Sequence, residues 1–541
     1  MRNASPLLLG AALLTSLAAS AASFVRAPYV QNVQPDSAIV AFQLDGNCNT
    51  AQVHFGPEGR DPEVAISPDQ GRQHGVILSD LPAGRRVSYR VEACGAEAGP
   101  FTFRTATGPE HRYVHFGAFG DMGTGGRDQK NVSAAIEKAA PELVLSVGDN
   151  AYDDGTEQEW TQNYFAPMAP MLAKTPVYLT FGNHDYLTDQ GQPQINAGYM
   201  PSNNPRNTER YYSFDWGHVH FVALDSQCYS GWTTTPECSK AEQRAWLEAD
   251  LAANKQPWTV VFMHHPPYST GEHGGNARVH DLMPLFEAHG VDMVLGGHDH
   301  LYERIHPLRE GRRTDPAQGG IPYWVIGSAG ARLRSFVSGQ PAITAHRDNV
   351  NYGFLNVVVD GGTLTADFVN TEGRVIDSYT TTKVLPEAPF LNIGLDPTAS
   401  DSPLSATLIS ESNLQNARVI WDLGDGTVLE GARVTHTYAE AGTYRVRATA
   451  EGADGRRATN ELSLQVSASG TEPDPDDGDS GEDPGDNGQP PPGNGGQNGP
   501  RPGAGGEGEL EPDGCQSAPA LLLPLALLGL IPLLRRRRQA G

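Results

Sequence analysis

One pattern recurs five times along the chain: a short apolar run, rich in β-branched residues, that stops at a cluster of polar side chains. Val114-His115-Phe116-Gly117-Ala118-Phe119 stops at Gly120-Asp121, and Leu143-Val144-Leu145-Ser146-Val147 stops at Gly148-Asp149-Asn150-Ala151-Tyr152. Val177-Tyr178-Leu179-Thr180-Phe181 leads into Gly182-Asn183-His184-Asp185, and Thr259-Val260-Val261-Phe262-Met263 into His264-His265. Val291-Asp292-Met293-Val294-Leu295 leads into Gly296-Gly297-His298-Asp299-His300. Runs of this length and composition read as strands buried on both faces. Helical stretches at 131–140, 240–253 and 279–289 lie between them, so 110–385 is expected to be an α/β domain with helices covering a sheet. In such sheets ligands bind beyond the carboxyl ends of the strands, so the five clusters should converge on one metal site.

The flanking patterns differ. Residues 24–107 hold short alternating strands, such as 37–44 and 87–91, broken at Gly46-Asn47 and Pro82-Ala83-Gly84, which reads as a β-sandwich. A second sandwich is expected over 388–467, where Gly424-Asp425-Gly426 supplies a tight turn. Trp421 and Tyr444 read there as core aromatics, with a carbohydrate- or partner-binding platform as the alternative. Residues 470–514 are Gly, Pro, Asp and Glu with little to bury, the composition of a disordered, charge-extended linker.

The two ends carry targeting patterns. Met1-Arg2, an apolar run from Leu7 to Leu17 and the small residues Ala19-Ser20-Ala21-Ala22-Ser23 give the three zones of a signal peptide over 1–23. At the other end, 515–541 holds Cys515, an apolar run from Ala518 to Leu534 and Arg535-Arg536-Arg537-Arg538. That order resembles the C-terminal sorting tails of surface-displayed bacterial proteins; the alternative is a permanent single-span membrane anchor with cytoplasmic arginines. An exported protein held at the cell surface or released outside the cell is the expectation.

The formal net charge is −25 over 541 residues, but it is unevenly spread. Residues 472–513 hold 12 acidic groups against Arg501, so this segment alone supplies −11. The acidity therefore describes a solvated spacer rather than the site, and no basic face suited to nucleic acid appears. Export makes the five cysteines readable as disulfides, Cys48 with Cys94 and Cys228 with Cys238, leaving Cys515; free buried thiols are the alternative. No Cys-x-x-Cys spacing points to a zinc site.

Taken together, Gly120-Asp121-Met122-Gly123, Gly148-Asp149-Asn150-Ala151-Tyr152, Gly182-Asn183-His184-Asp185, Val261-Phe262-Met263-His264 and Gly297-His298-Asp299-His300 resemble the motif set of the calcineurin-like metallophosphoesterases. Tyr152 narrows the resemblance to the purple acid phosphatases. It implies an αββα sandwich, and Ala27-Pro28-Tyr29-Val30-Gln31-Asn32-Val33 is similar to the start of the fibronectin-III-like module that precedes that domain in larger members. Val419-Ile420-Trp421-Asp422-Leu423-Gly424-Asp425-Gly426 and 436–444 resemble the paired signatures of a PKD domain.

Seven protein groups are too many for one tetrahedral ion and suit two ions sharing a bridge. The resemblance implies that Asp121, Tyr152 and His300 hold one ion, that Asn183, His264 and His298 hold the other, and that Asp149 bridges them. A tyrosinate favours Fe(III), and the neutral set suits a divalent Zn, Mn or Fe. Attack by metal-bound hydroxide on a small-molecule phosphomonoester is the implied reaction, with an optimum below neutrality. His184 and His273 match the family's outer-sphere histidines, either of which is a candidate acid for the leaving oxygen, and His265 and His280 read as structural. The chain departs from the family at Gly274, where many members carry a second adjacent histidine. A phosphodiesterase or nucleotidase is the same-superfamily alternative. A surface binding protein with a vestigial metal site is the alternative of another class.

Overall fold

The computed structural model describes residues 21–57, 62–231, 237–337, 339–399 and 404–468. Most of the expected signal peptide, the acidic linker 470–514 and the hydrophobic tail 515–541 lie outside the described residues. Among the described residues no helix is long and apolar enough to cross a membrane.

Two mixed sheets make the central domain. The first runs, in spatial order, Val177–Leu179, Leu143–Ser146, Tyr113–Phe119, Gly353–Asp360, Thr363–Asn370, Val375–Thr382. Its first three strands are parallel and its last three form an antiparallel meander. The second runs Tyr212–Trp216, Val219–Ala223, Trp258–Phe262, Met293–Gly296, Ile321–Ile326, Tyr302–Arg309, Arg312–Arg313, with Thr344–Asp348 paired to Tyr302–Arg309.

Strand periodicity sorts the core into layers. Successive side chains point to opposite faces. Phe221, Trp258, Val260, Phe262, Met293 and Leu295 therefore face the first sheet in one large core. Their alternates Val222, Val261 and Val294 join a separate outer core with Leu247 and Leu251 of the helix Lys240–Ala253 and Phe286 of Met283–Ala288. Across the inner layer Phe116 meets Phe221 edge to face at 5.2 Å and Tyr178 stacks on Phe214 at 3.7 Å. On the far side Val132 and Ile136 of Arg127–Ala139 pack onto the first sheet, which completes an αββα order. The helix expected at 279–289 is instead a 3-10 turn, Val279–Leu282, followed by Met283–Ala288, because Pro284 fits only a helix's first turn. Sequence alternation also missed that the chain after residue 350 returns as antiparallel strands rather than as further β–α units.

An N-terminal sandwich of a three-stranded and a four-stranded sheet spans Phe24–Arg104. It docks on the central domain through three buried phenols: Tyr29 donates to Ala197 O (2.7 Å), Tyr89 to Ala173 O (2.8 Å), and Tyr178 of the central domain to Val33 O (2.8 Å). Residues Leu391–Val466 form the C-terminal sandwich, again three strands against four. Trp421 is fully buried in its core and donates to Gly431 O, while Tyr444 packs at its edge against Tyr438. Both disulfides pair as expected, Cys48–Cys94 and Cys228–Cys238, with Cα separations of 5.8 and 4.9 Å.

At the edge of the second sheet His220 is clamped between Asp215 (2.7 Å) and Asp250 (2.9 Å), tying that sheet to Lys240–Ala253. Burial opposes its protonation, yet hydrogen bonds to the two carboxylates hold its pKa up at about 9, against an ordinary 6.5. A folded-state pKa above the unfolded one contributes stability that is fully present below about 6.5 and lost as pH rises through about 9. The difference corresponds to roughly 3 kcal/mol. Urea midpoints measured from pH 6 to 10 should fall over that window in the wild type and stay level across it in His220→Gln; parallel curves would show that the clamp carries no such linkage.

Candidate metal centre

Five loops leave the carboxyl ends of neighbouring strands from both sheets and meet at one edge of the sandwich. One main-chain bond crosses between the sheets, Gly120 N to Ile326 O (3.1 Å), and others tie neighbouring loops within each sheet, Asp121 N to Gly148 O (3.0 Å) and Gly297 N to His264 O (2.8 Å). Three of the site residues, Asp121, Asp149 and His298, sit at φ of 55°, 52° and 71°. Left-handed backbone at non-glycine residues persists only where surrounding contacts over-determine it. Gly148 is required for the same closeness, since a Cβ there would lie 2.7 Å from Gly182 N and 2.9 Å from His264 Nδ1.

The structure brings all seven expected ligand residues together. Two groups of donor atoms, Asp121–Asp149–His300 and Asp149–His264–His298, each converge within 4.8 Å, and they share Asp149. Tyr152 Oη lies 3.2 Å from Asp121 Oδ1, 3.0 Å from Asp149 Oδ2 and 3.1 Å from His300 Nε2. Asn183 Oδ1 lies 3.1 Å from His264 Nε2, which is itself 3.2 Å from His298 Nδ1. The third convergent set, Asp225 with Cys228 and Cys238, has its sulfurs committed to a disulfide.

The donor chemistry fits cations. His264 Nδ1 donates to Val147 O (2.9 Å), which fixes the tautomer and turns the Nε2 lone pair toward the Asn183 carbonyl oxygen. Two acceptors facing each other at that distance make no hydrogen bond; a metal ion between them satisfies both. Tyr152 has one proton for three close acceptors, the same mismatch. Burial and the neighbouring Asp149 charge push the Asp121 carboxyl well up. Asp149 is also penalised by burial, but His264 and His184 hold it below the usual carboxylate range. Burial, with the adjacent imidazoles, drives His298 strongly down, and burial with the Arg334 guanidinium lowers His300 to about 4. Buried carboxylates beside neutral imidazoles are the donor set two cations require.

The two candidate acids differ in which nitrogen is engaged. His184 Nδ1 donates to Asp153 O, and its ring lies 4.5 Å from that of Tyr152; its Nε2 has no partner among the described residues. His273 stacks on His298 at 4.3 Å, and Arg334 Nη1 donates to its Nε2 at 3.0 Å. His265 and His280 are engaged structurally, with Ser226 Oγ and Pro267 O respectively.

Sequence reasoning gave no role to Asp185, which the structure makes the hub of the two ligand loops. Its buried carboxylate accepts from Gly182 N (2.9 Å), Asn150 N (3.0 Å), Ala151 N (3.3 Å) and Asn150 Nδ2 (3.0 Å). The loop bearing Asn183 and the loop bearing Asp149 and Tyr152 are thus held in one register. The run of polar residues after Phe181 hid which of them points inward.

The class of domain follows. Residues 114–302 match the calcineurin-like phosphoesterase family model, and residues 386–466 match the PKD domain model. The central unit is a metallophosphoesterase domain, with a PKD domain behind it. Its relatives are purple acid phosphatases: the chain is 28% identical over 304 residues to purple acid phosphatase 18 of Arabidopsis thaliana, covering 53% of this chain and 66% of that one. It is 32% identical over 279 residues to purple acid phosphatase 21 of the same plant, covering 49% and 60%. Several other matched plant relatives are named probable inactive purple acid phosphatases. The chain thus spans 66% and 60% of the length of purple acid phosphatases 18 and 21, and 44% to 58% of the length of the relatives named inactive. A purple acid phosphatase from yellow lupin seeds shares the fold, with a TM-score of 0.58 at 20% identity over 66% of this chain and 74% of that one.

Removing the Asp185 carboxylate would leave three buried N–H groups unmet and release both loops. Asp185→Ala should lower metal retention about 10- to 100-fold although Asp185 touches no ion, as read by metal content after chelator challenge. Wild-type retention would show that the loops hold their register without it.

Proposed function

We propose that the chain is an exported binuclear-metal phosphatase that hydrolyses phosphomonoesters. The observation that supports this reading best is the pair of donor groups sharing Asp149 at the mouth of one sandwich. Asp121, Tyr152 and His300 would hold one ion, Asn183, His264 and His298 the other, with Asp149 common to both. Bound there, two ions supply Lewis-acid charge for phosphoryl oxygens and a nucleophile from water at neutral pH or below.

The side chains supply the rest. A phosphate ester leaves as a poor alkoxide unless its oxygen is protonated, and His184 is the better placed of the two candidate acids. Its Nδ1 is anchored on a main-chain carbonyl, so Nε2 is the nitrogen that can carry a proton to the leaving oxygen. His273, by contrast, has its Nε2 engaged as acceptor of the Arg334 guanidinium. The Tyr152 phenol, raised far above its ordinary pKa by burial and by Asp121 and Asp149, loses its proton only to a strongly polarising ion, which favours Fe(III) at that locus and a divalent Zn, Mn or Fe at the other.

Two disulfides support an oxidising, extracytoplasmic setting, with the terminal segment as signal peptide and the tail holding the protein at the surface. The N-terminal sandwich serves as a fibronectin-III-like structural module. The PKD domain, with both aromatics committed to packing, contributes a protein or carbohydrate contact by its outer faces.

Purified chain should hydrolyse p-nitrophenyl phosphate well ahead of bis(p-nitrophenyl) phosphate; the reverse preference would replace this reading with a phosphodiesterase. His184→Ala should lower kcat on an alkyl phosphate by about 10²–10⁴ with metal content unchanged, and by far less on p-nitrophenyl phosphate, whose leaving group needs no proton. Equal losses on both esters would remove the acid role. A visible charge-transfer band should accompany activity and vanish in Tyr152→Phe; a colourless active enzyme would exclude the iron assignment.

A further inference from the structure

Arg334 lies in the loop that follows Ile321–Ile326, 61 residues from His273 in sequence yet against it in space. Its main chain is tied at both ends: its N–H donates to His300 O (2.9 Å), and Asn349 Nδ2 donates to its carbonyl (2.9 Å). The side chain reaches between two rings of the site. Nη1 donates to His273 Nε2 at 3.0 Å, and Nε approaches His300 Nδ1 at 3.3 Å. His273 in turn lies flat on His298. The guanidinium therefore stands one ring away from each half of the metal centre.

Its anionic partner is weak. Glu272 Oε2 is 3.5 Å from Nη1, and the two side chains are 44% and 33% exposed. A pair of that length and exposure contributes little, so a better anion displaces it. Nη2 has no protein partner among the described residues. A five-donor fork that holds one imidazole, one loose carboxylate and an unengaged edge is poised for an oxyanion.

Resting on the phosphatase reading above, we propose that Arg334 grips a phosphoryl oxygen of the substrate and sets the preference for monoesters over diesters. A phosphomonoester dianion carries its charge on three non-bridging oxygens, a diester its single charge on two. Ions held by the two donor groups would take up two of these oxygens in either case, which leaves the third oxygen of a monoester for the guanidinium fork in a charge-assisted pair. In a diester that position holds an uncharged ester oxygen and its substituent, which gain nothing from the fork. Arg334 is thus a specificity-determining residue that touches substrate, and His273 helps to orient it.

Arg334→Gln keeps a donor for His273 but removes the charge; Arg334→Lys keeps the charge but not the fork. In metal-loaded full chain, Arg334→Gln should lower kcat/KM for p-nitrophenyl phosphate by about 10²-fold, and for bis(p-nitrophenyl) phosphate by less than about threefold. Isothermal titration with inorganic phosphate should show affinity weakened about 10- to 100-fold, Arg334→Lys lying between, with metal content equal in all three proteins. Equal losses on the two esters, or unchanged phosphate affinity in Arg334→Gln, would overturn the proposal and leave Arg334 as a support for His273. If the wild type turned over neither ester, the phosphatase reading would fall, and the phosphate titration alone would decide whether Arg334 binds the anion.

Discussion

Two buried carboxylates, Asp121 and Asp149, set the problem that the rest of the domain solves. Both lie within reach of one phenol and are shielded from water, and each belongs to a convergent donor group. At an effective dielectric of about 20, two unit charges roughly 5 Å apart repel by about 3 kcal/mol, before any cost of desolvation. Burial and the Asp149 charge accordingly push the Asp121 carboxyl well above its ordinary range. Bound cations would relieve the repulsion better, and the imidazole, amide and phenol oxygen and nitrogen atoms around the two carboxylates are donors that suit them. The left-handed backbone at Asp121, Asp149 and His298 is strain accepted to aim those groups inward.

Strain at a site must be offset by rigidity around it, and here rigidity comes from the sandwich. The inner layer of aromatics, Phe116 on Phe221 and Tyr178 on Phe214, fixes the spacing of the two sheets. One sheet delivers Asp121, Asp149 and Asn183; the other delivers His264, His298 and His300. A centre whose two donor groups each draw on both sheets is therefore only as well placed as that packed layer. Close packing makes the layer resistant to small shifts, and His264 Nδ1 on Val147 O adds a direct bond between the two sets of loops.

The parts of this arrangement that were legible in the sequence share a property: they are local. Each expected ligand follows its strand by a few residues, so a change from apolar run to polar cluster marks it. Period-two alternation also separates Phe221 from Val222 into different layers once both sheets are known. Contacts made by returning loops carry no such mark. Nothing in the string Ser328-Ala329-Gly330-Ala331-Arg332-Leu333-Arg334 says that it folds back on His273 and His300. Asp185 stands beside two polar neighbours of equal promise, and only the positions of Gly182, Asn150 and Ala151 select it as the hub. The antiparallel strands after residue 350 were missed for a related reason, since strand direction is a matter of pairing rather than of composition.

The N-terminal sandwich is joined to the chemistry by a chain of contacts rather than merely attached beside it. Its buried Arg26 pairs with Glu157 and donates to Thr161 Oγ1, and it lies 4.8 Å over the Phe165 ring, while Tyr29 packs on the same ring at 4.6 Å. These contacts hold the π-helical turn Trp160–Phe165, a geometry that costs backbone regularity and is often kept for a functional reason. Here that reason is Asn163, which the turn presents to the site. Its Nδ2 donates to Tyr152 O at 2.7 Å, and its own carbonyl accepts from Gln129 Nε2 at 2.6 Å. Gln129 Oε1 in turn accepts from Gly125 N in the loop that follows Asp121. The phenol that spans the two carboxylates is thus positioned from behind by a turn that the N-terminal sandwich clamps, and a loosened docking surface would reach the metal centre through Tyr152 first.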